Sequence, residues 1–176
     1  MVGMSRSGDY LYVTARDTTS NQFSLRIVEI TTTRLVAQGV LTVPNLTAMG
    51  DPYVTNDILQ LVSVEGATKR SNVVWIPAGD RVITVDVSNL ANPVLIAGAA
   101  TIAQGGAADI ELNGSGLAVI AGVVNPGGSA IVLETPYPNN PNQIFTRYAL
   151  PSFGEAIALS SGLAYIADGV SGLQLV

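Results

Sequence analysis

The chain repeats itself, and the repeat restricts its fold more than any other feature. "GLAVIAGVVNPGGSAIVLE" runs from Gly116 to Glu134, and "GLAYIADGVSGLQLV" takes up the same phrase 46 residues later, from Gly162 to Val176. Four segments line up: "LYVTA" at Leu11, "VVWIP" at Val73, "LAVIA" at Leu117 and "LAYIA" at Leu163, spaced by 62, 44 and 46 residues. All are short and rich in β-branched or aromatic residues, so each reads as a strand. A second strand follows in every unit: "LRIVE" at Leu25, "VITVD" at Val82, "AIVLE" at Ala130 and "LQLV" at Leu173. Three of these second strands end on an acid, Glu29, Asp86 or Glu134.

The connection after the acid recurs as well. Asn92-Pro93 and Asn140-Pro141 stand at the same offset from Asp86 and Glu134. Proline restricts the residue before it and fixes its own φ, so Asn-Pro marks a turn. A third strand follows, "VLIAGAATI" or "QIFTRYAL", with "RLVAQGVLTV" filling the role in the first unit. A fourth, such as "ADIEL" or "EAIAL", leads into the next unit. Four strands at a period near 45 residues are the sequence sign of a β-propeller blade. The predicted fold class is therefore all-β, built of four-stranded antiparallel blades at 1–46, 47–103, 104–150 and 151–176. Strands are predicted at Leu11–Ala15, Leu25–Ile30, Val73–Ile76, Val82–Val87, Leu117–Ala121, Ala130–Leu133 and Leu163–Ala167. Three and a half blades do not close a ring. The expectation is an incomplete propeller, a fragment of a longer chain or half of a two-copy ring, with a raw edge at "GLQLV" that self-associates.

Composition narrows the chemistry. There is no histidine and no cysteine, so Ser-His-Asp and Cys-His catalysis, disulfides and His- or Cys-ligated metal sites are all excluded. Thirteen acidic residues face eight basic ones, with no basic stripe, so no nucleic-acid partner is expected. "PVLIAGAATIA" is too short and too broken to cross a bilayer, so no membrane insertion is expected. No cofactor is implied.

"RVITVDVSNLANPVLIAG", from Arg81 to Gly98, resembles the LVIVD repeat of bacterial and archaeal β-propellers. That pattern is a hydrophobic strand ending in Asp, a Ser/Asn turn, and Asn-Pro-Val. "GLAYIADGVSGLQLV" is similar to the strand pair that precedes it. The resemblance implies binding or scaffolding, a secreted or cell-surface location, and no shared catalytic residues. The implied partner is another protein or the remainder of a longer chain.

Individual residues carry structural readings first. Glu29, Asp86 and Glu134 are expected to accept backbone N–H bonds in the turns that follow them. The glycines of "DGVSG" at Asp168 and "NPGG" at Asn125 are expected to serve hairpins rather than calcium or phosphate. "TKRSN" at Thr68 reads as a solvated turn. Val13, Trp75, Val119 and Tyr165 share one repeat position, read as packing between blades, while Tyr10 and Tyr12 lie on the opposite face of their strand. A ligand surface is expected in the unequal loops, including the segment near Pro44–Pro52, with Asp51, Tyr53 and Tyr137 as loop candidates. Three functions fit, in this order: a non-catalytic interaction or scaffold module, a carbohydrate-binding propeller, and a propeller glycosidase using carboxylates or a tyrosine.

Overall fold

The computed structural model describes residues 3–44, 53–54, 60–64, 67–78, 81–96, 100–101, 107–113, 116–124, 127–134 and 144–176. Alternating and β-branched sequence becomes strand throughout these segments. The first sheet holds β1 (Gly3–Ser7), β2 (Tyr10–Arg16), β3 (Phe23–Ile30) and β4 (Leu35–Val43), each antiparallel to the next. In the second, β5 (Tyr53–Val54) pairs with β8 (Val73–Ala78), and β8 with β9 (Arg81–Asp86). A separate hairpin of β6 (Gln60–Val64) and β7 (Ala67–Ser71) is inserted between β5 and β8. Two short pieces, β10 (Val94–Leu95) and β11 (Ala100–Thr101), share the outer edge of β9.

The third sheet runs β12 (Ala107–Leu112), β13 (Leu117–Val124), β14 (Gly127–Glu134) and β15 (Ile144–Leu150). The fourth holds β16 (Ala156–Ser160), β17 (Leu163–Ala167) and β18 (Leu173–Leu175). Among the described residues the helical content is one 3-10 turn, Gly169–Ser171. The first strands of the sheets, β1, β5, β12 and β16, lie beside one another in turn, and β12 also packs on β8. The sheets thus stack face to face in an open arc, and the described residues form no closed ring, as an incomplete propeller would.

Burial follows from position in the arc. Every side chain of β8 is buried, as is every one of β9 after Arg81, because the second sheet has a neighbour on each face. Val74, Ile76, Ile83 and Val85 pack on Tyr12, Leu25 and Ile27 of the first sheet. Val73, Trp75 and Val82 pack on Ile110, Ala118, Ile120 and Ile131 of the third. Ala121, Ala130 and Leu150 meet Ile157, Ala164 and Ile166 of the fourth. Burying such apolar surface is the main stabilising term.

The pairing corrects one sequence reading. Trp75 lies opposite Thr84, Val119 opposite Val132 and Tyr165 opposite Leu175, each the third residue of its second strand. In the first sheet the residue opposite the equivalent Ile27 is Tyr12, not Val13. Tyr12 is therefore the repeat partner of Trp75, and Val13 turns to the half-buried outer face. A one-residue slip in the assumed register moves a whole strand to its other face. Nothing local reveals the slip, since Tyr10, Leu11, Tyr12 and Val13 are all large and apolar. Burial and the nearby Tyr10 hydroxyl raise the titration of Tyr12 above the ordinary tyrosine range.

Glycine permits two close approaches between sheets. A Cβ on Gly39 of β4 would collide with the Leu90 carbonyl and Pro93, in the Asn-Pro turn after β9. A Cβ on Gly128 of β14 would collide with the Ser152 carbonyl, in the turn that leads to the fourth sheet. Asp168 holds that turn from the other side. Its fully buried carboxylate accepts the Ser152 N–H at 3.2 and 3.1 Å.

Candidate functional site

A cleft of about 450 Å³ opens where the third and fourth sheets meet. Val119 of β13 and Glu111 of β12 form one wall, Leu159 of β16 and Ala164 of β17 the other, with Tyr148 and Val176 at its rim. Glu111 lies opposite Val119 in the pairing of β12 with β13, so both project from the face that looks at the fourth sheet. Burial, and after it the neighbouring Asp109 carboxylate, raise the Glu111 carboxyl above the ordinary glutamate range. Asp109 is already engaged. Its Oδ1 accepts the Ile110 N–H at 2.8 Å, and its Oδ2 accepts the Ile157 N–H of β16 at 2.8 Å.

The space has a cause in the repeat. Three of the four sheets carry an aromatic side chain at this repeat position: Tyr12 and Trp75, which face the next sheet, and Tyr165, on the outer face of the last. The third sheet places Val119 there. Trp75 is fully buried in one cluster with Ile110, Leu112 and Ala118 of the third sheet. Their register equivalents in the fourth sheet are Ile157, Leu159 and Ala164. Val119 is smaller than Trp75, and although it packs against the cluster that holds Ala164, a cleft lies beside it, lined by Val119, Leu159 and Ala164.

Glu111 makes one pH effect testable. A carboxyl whose folded titration lies above its unfolded one stabilises the fold at low pH. That contribution is lost as pH rises from the ordinary glutamate range through the raised one. Glu111→Gln is therefore expected to flatten the pH dependence of the melting temperature above the ordinary glutamate range, about pH 4, and scanning calorimetry from there upward checks it. An unchanged slope in the variant counts against the buried acid.

The residues singled out in the sequence fall elsewhere. Asp86 is buried and accepts the Ser88 N–H at 2.9 Å, the turn role expected of it. Glu29 differs: it accepts a 2.6 Å bond from the side-chain amide of Gln38, the extra residue of a bulge in β4. Such a bulge is fixed by cross-strand pairing and leaves no local signal. The backbone of Glu134 ends β14, opposite Leu117. "DGVSG" forms the 3-10 turn, with Gly169 and Gly172 at φ 48° and 76°. Its acid holds Ser152 rather than facing a ligand.

Lys69 and Arg70 lie within β7 rather than in a turn. Tyr53 is in β5 opposite Trp75 rather than in a loop. Asp51, Tyr137 and the Asn45–Asp51 segment are outside the described residues. Asp109 and Glu111 carried no functional reading in "ADIEL". The available signal was two acids two apart on one face of a strand next to the arc's centre. Among the described residues, no three His, Cys, Asp or Glu side chains are grouped to hold a metal ion. No helix of the described residues is long and apolar enough to cross a membrane.

This geometry defines a repeat-type all-β protein whose units meet face to face. Comparison with known families agrees at the level of one unit: a family model for the LVIVD repeat matches residues 78–101, from the end of β8 through β11. Neither the curated proteins nor the solved structures return a significant match to the chain.

Proposed function

We propose that the chain is a non-catalytic interaction and scaffold module of a secreted or cell-surface protein, a β-propeller segment whose fourth sheet is covered by a further sheet of the same kind. One observation carries the reading. Leu25, Ile27, Val82 and Thr84 are buried against the next sheet in the arc. At the same register in the fourth sheet, Leu173 and Leu175 are 61% and 58% exposed. Leu163, beside them on that face, is 42% exposed. A contiguous apolar sheet face of this sort marks an interaction surface.

The acids support the non-catalytic part of the reading. Asp86, Asp109 and Asp168 all accept backbone N–H bonds, where a glycosidase would hold its carboxylates toward substrate. The location rests on the resemblance of the repeat alone.

Sedimentation velocity of the purified chain tests the proposal. The chain is expected to associate with itself when no other sheet is present. Covering each leucine contributes roughly 1.5–3 kcal/mol. The Leu173→Asp, Leu175→Asp double variant is therefore expected to weaken association by about a hundredfold or more, with an unchanged far-UV spectrum. A parent chain that stays monomeric, or a double variant that associates as well as its parent, overturns the proposal.

A further inference from the structure

We propose that the cleft between the third and fourth sheets is a binding site for a small cationic aromatic amine, with its ring against Val119, Leu159 and Ala164 and its ammonium at Glu111. Size, chemistry and charge lead there separately. The ring takes the place of an aromatic side chain that the repeat supplies from Tyr12, Trp75 and Tyr165 but not from Val119. Leu159 and Ala164 correspond by register to Leu112 and Ala118, which share a buried cluster with Trp75. The cleft, at about 450 Å³, falls within the usual range for small-molecule sites, roughly 300–1,000 Å³.

The polar end is set by Glu111. Glu111 is the one charged side chain among the lining residues, beside polar Asn113, Ser160 and Ser161, and a carboxylate there selects a partner that donates hydrogen bonds and carries positive charge. Asp109 adds a second negative charge beside it while its own oxygens remain on the Ile110 and Ile157 N–H groups. No arginine or lysine is among the residues lining the cleft. The net charge of the chain, −5, favours the approach of a cation. An ammonium beside Glu111 would offset both the burial of its carboxyl and the neighbouring Asp109 charge.

Tryptamine is the probe, and tryptophol, with the same ring and a neutral hydroxyl, is the comparator. Titration calorimetry at pH 7 is expected to give saturable tryptamine binding at least tenfold tighter than tryptophol. In Glu111→Gln that advantage disappears, while tryptophol binding persists. Val119→Trp fills the cleft from within. It is expected to abolish binding of both compounds and to leave the melting temperature equal or higher. Circular dichroism of Glu111→Gln checks that this variant is folded, so the charge part of the test stands whether or not the tryptophan variant folds. No saturable binding of tryptamine, equal affinity for the two compounds, or binding that survives in Val119→Trp overturns the proposal.

Discussion

Gly128→Ala is expected to unfold the contact between the third and fourth sheets. The added methyl would occupy the position of the Ser152 carbonyl. That atom belongs to backbone, and its residue is held from the other side by the Asp168 carboxylate. No rotamer change relieves such a collision, so β14 or the 151–153 turn must move as a unit. Overpacking a well-filled interior costs roughly 1–3 kcal/mol, and a fixed backbone neighbour puts Gly128→Ala at the top of that range. Gly8→Ala is the control. Gly8 has φ 56° with nothing near its missing Cβ, so only backbone strain of about 1–2 kcal/mol is added. Urea denaturation is expected to show a clearly lower midpoint for Gly128→Ala than for Gly8→Ala. Equal midpoints would mean that the close approach is not a constraint.

Trp75→Ala is expected to have the other large effect. Trp75 is fully buried and joins the second sheet to the third through Ile110, Leu112 and Ala118. Truncating a buried tryptophan removes its transfer free energy and leaves a cavity, together about 3–5 kcal/mol. For a chain of this size that lowers the melting temperature by roughly 6–20 °C. Phe145→Ala is the matched surface change, because Phe145 is 66% exposed on the bulge of β15. It is expected to stay within about 0.5 kcal/mol of the parent. Scanning calorimetry of the three chains checks the contrast. If the two variants melt together, Trp75 does not carry the joint between the sheets.

Most strands were legible because their cause is local. Alternation, β-branching and Gly or Asn-Pro punctuation occur within a few residues, and the antiparallel pairs β8–β9, β13–β14 and β17–β18 follow from them. Asp86 was legible for the same reason, since its partner is two residues away. The outer strand of the second sheet was harder. "VLIAGAATI" reads as one strand, and its described parts, β10 and β11, both pair with β9 but in registers two residues apart. The candidate site was not legible, and the register error explains why. With Val13 in the repeat position, the group held two aromatics and two valines and showed no pattern. With Tyr12 there, Val119 is the exception among three aromatics.

The sequence by itself determined the repeat, the all-β class, the strand pairs, and the absence of histidine and cysteine chemistry. Each is a property of spacing or composition, and hydrogen-bonding geometry turns spacing into strands without further information. Only the tertiary structure decided which face of β2 meets the second sheet and which acids are held by distant backbone. Asp109 bonds the Ile157 N–H 48 positions away, and Asp168 bonds the Ser152 N–H 16 positions back. The cleft beside Val119 likewise exists only between two sheets. Such contacts depend on how whole sheets stack, a balance of burial summed over many residues, and no short stretch of chain contains it.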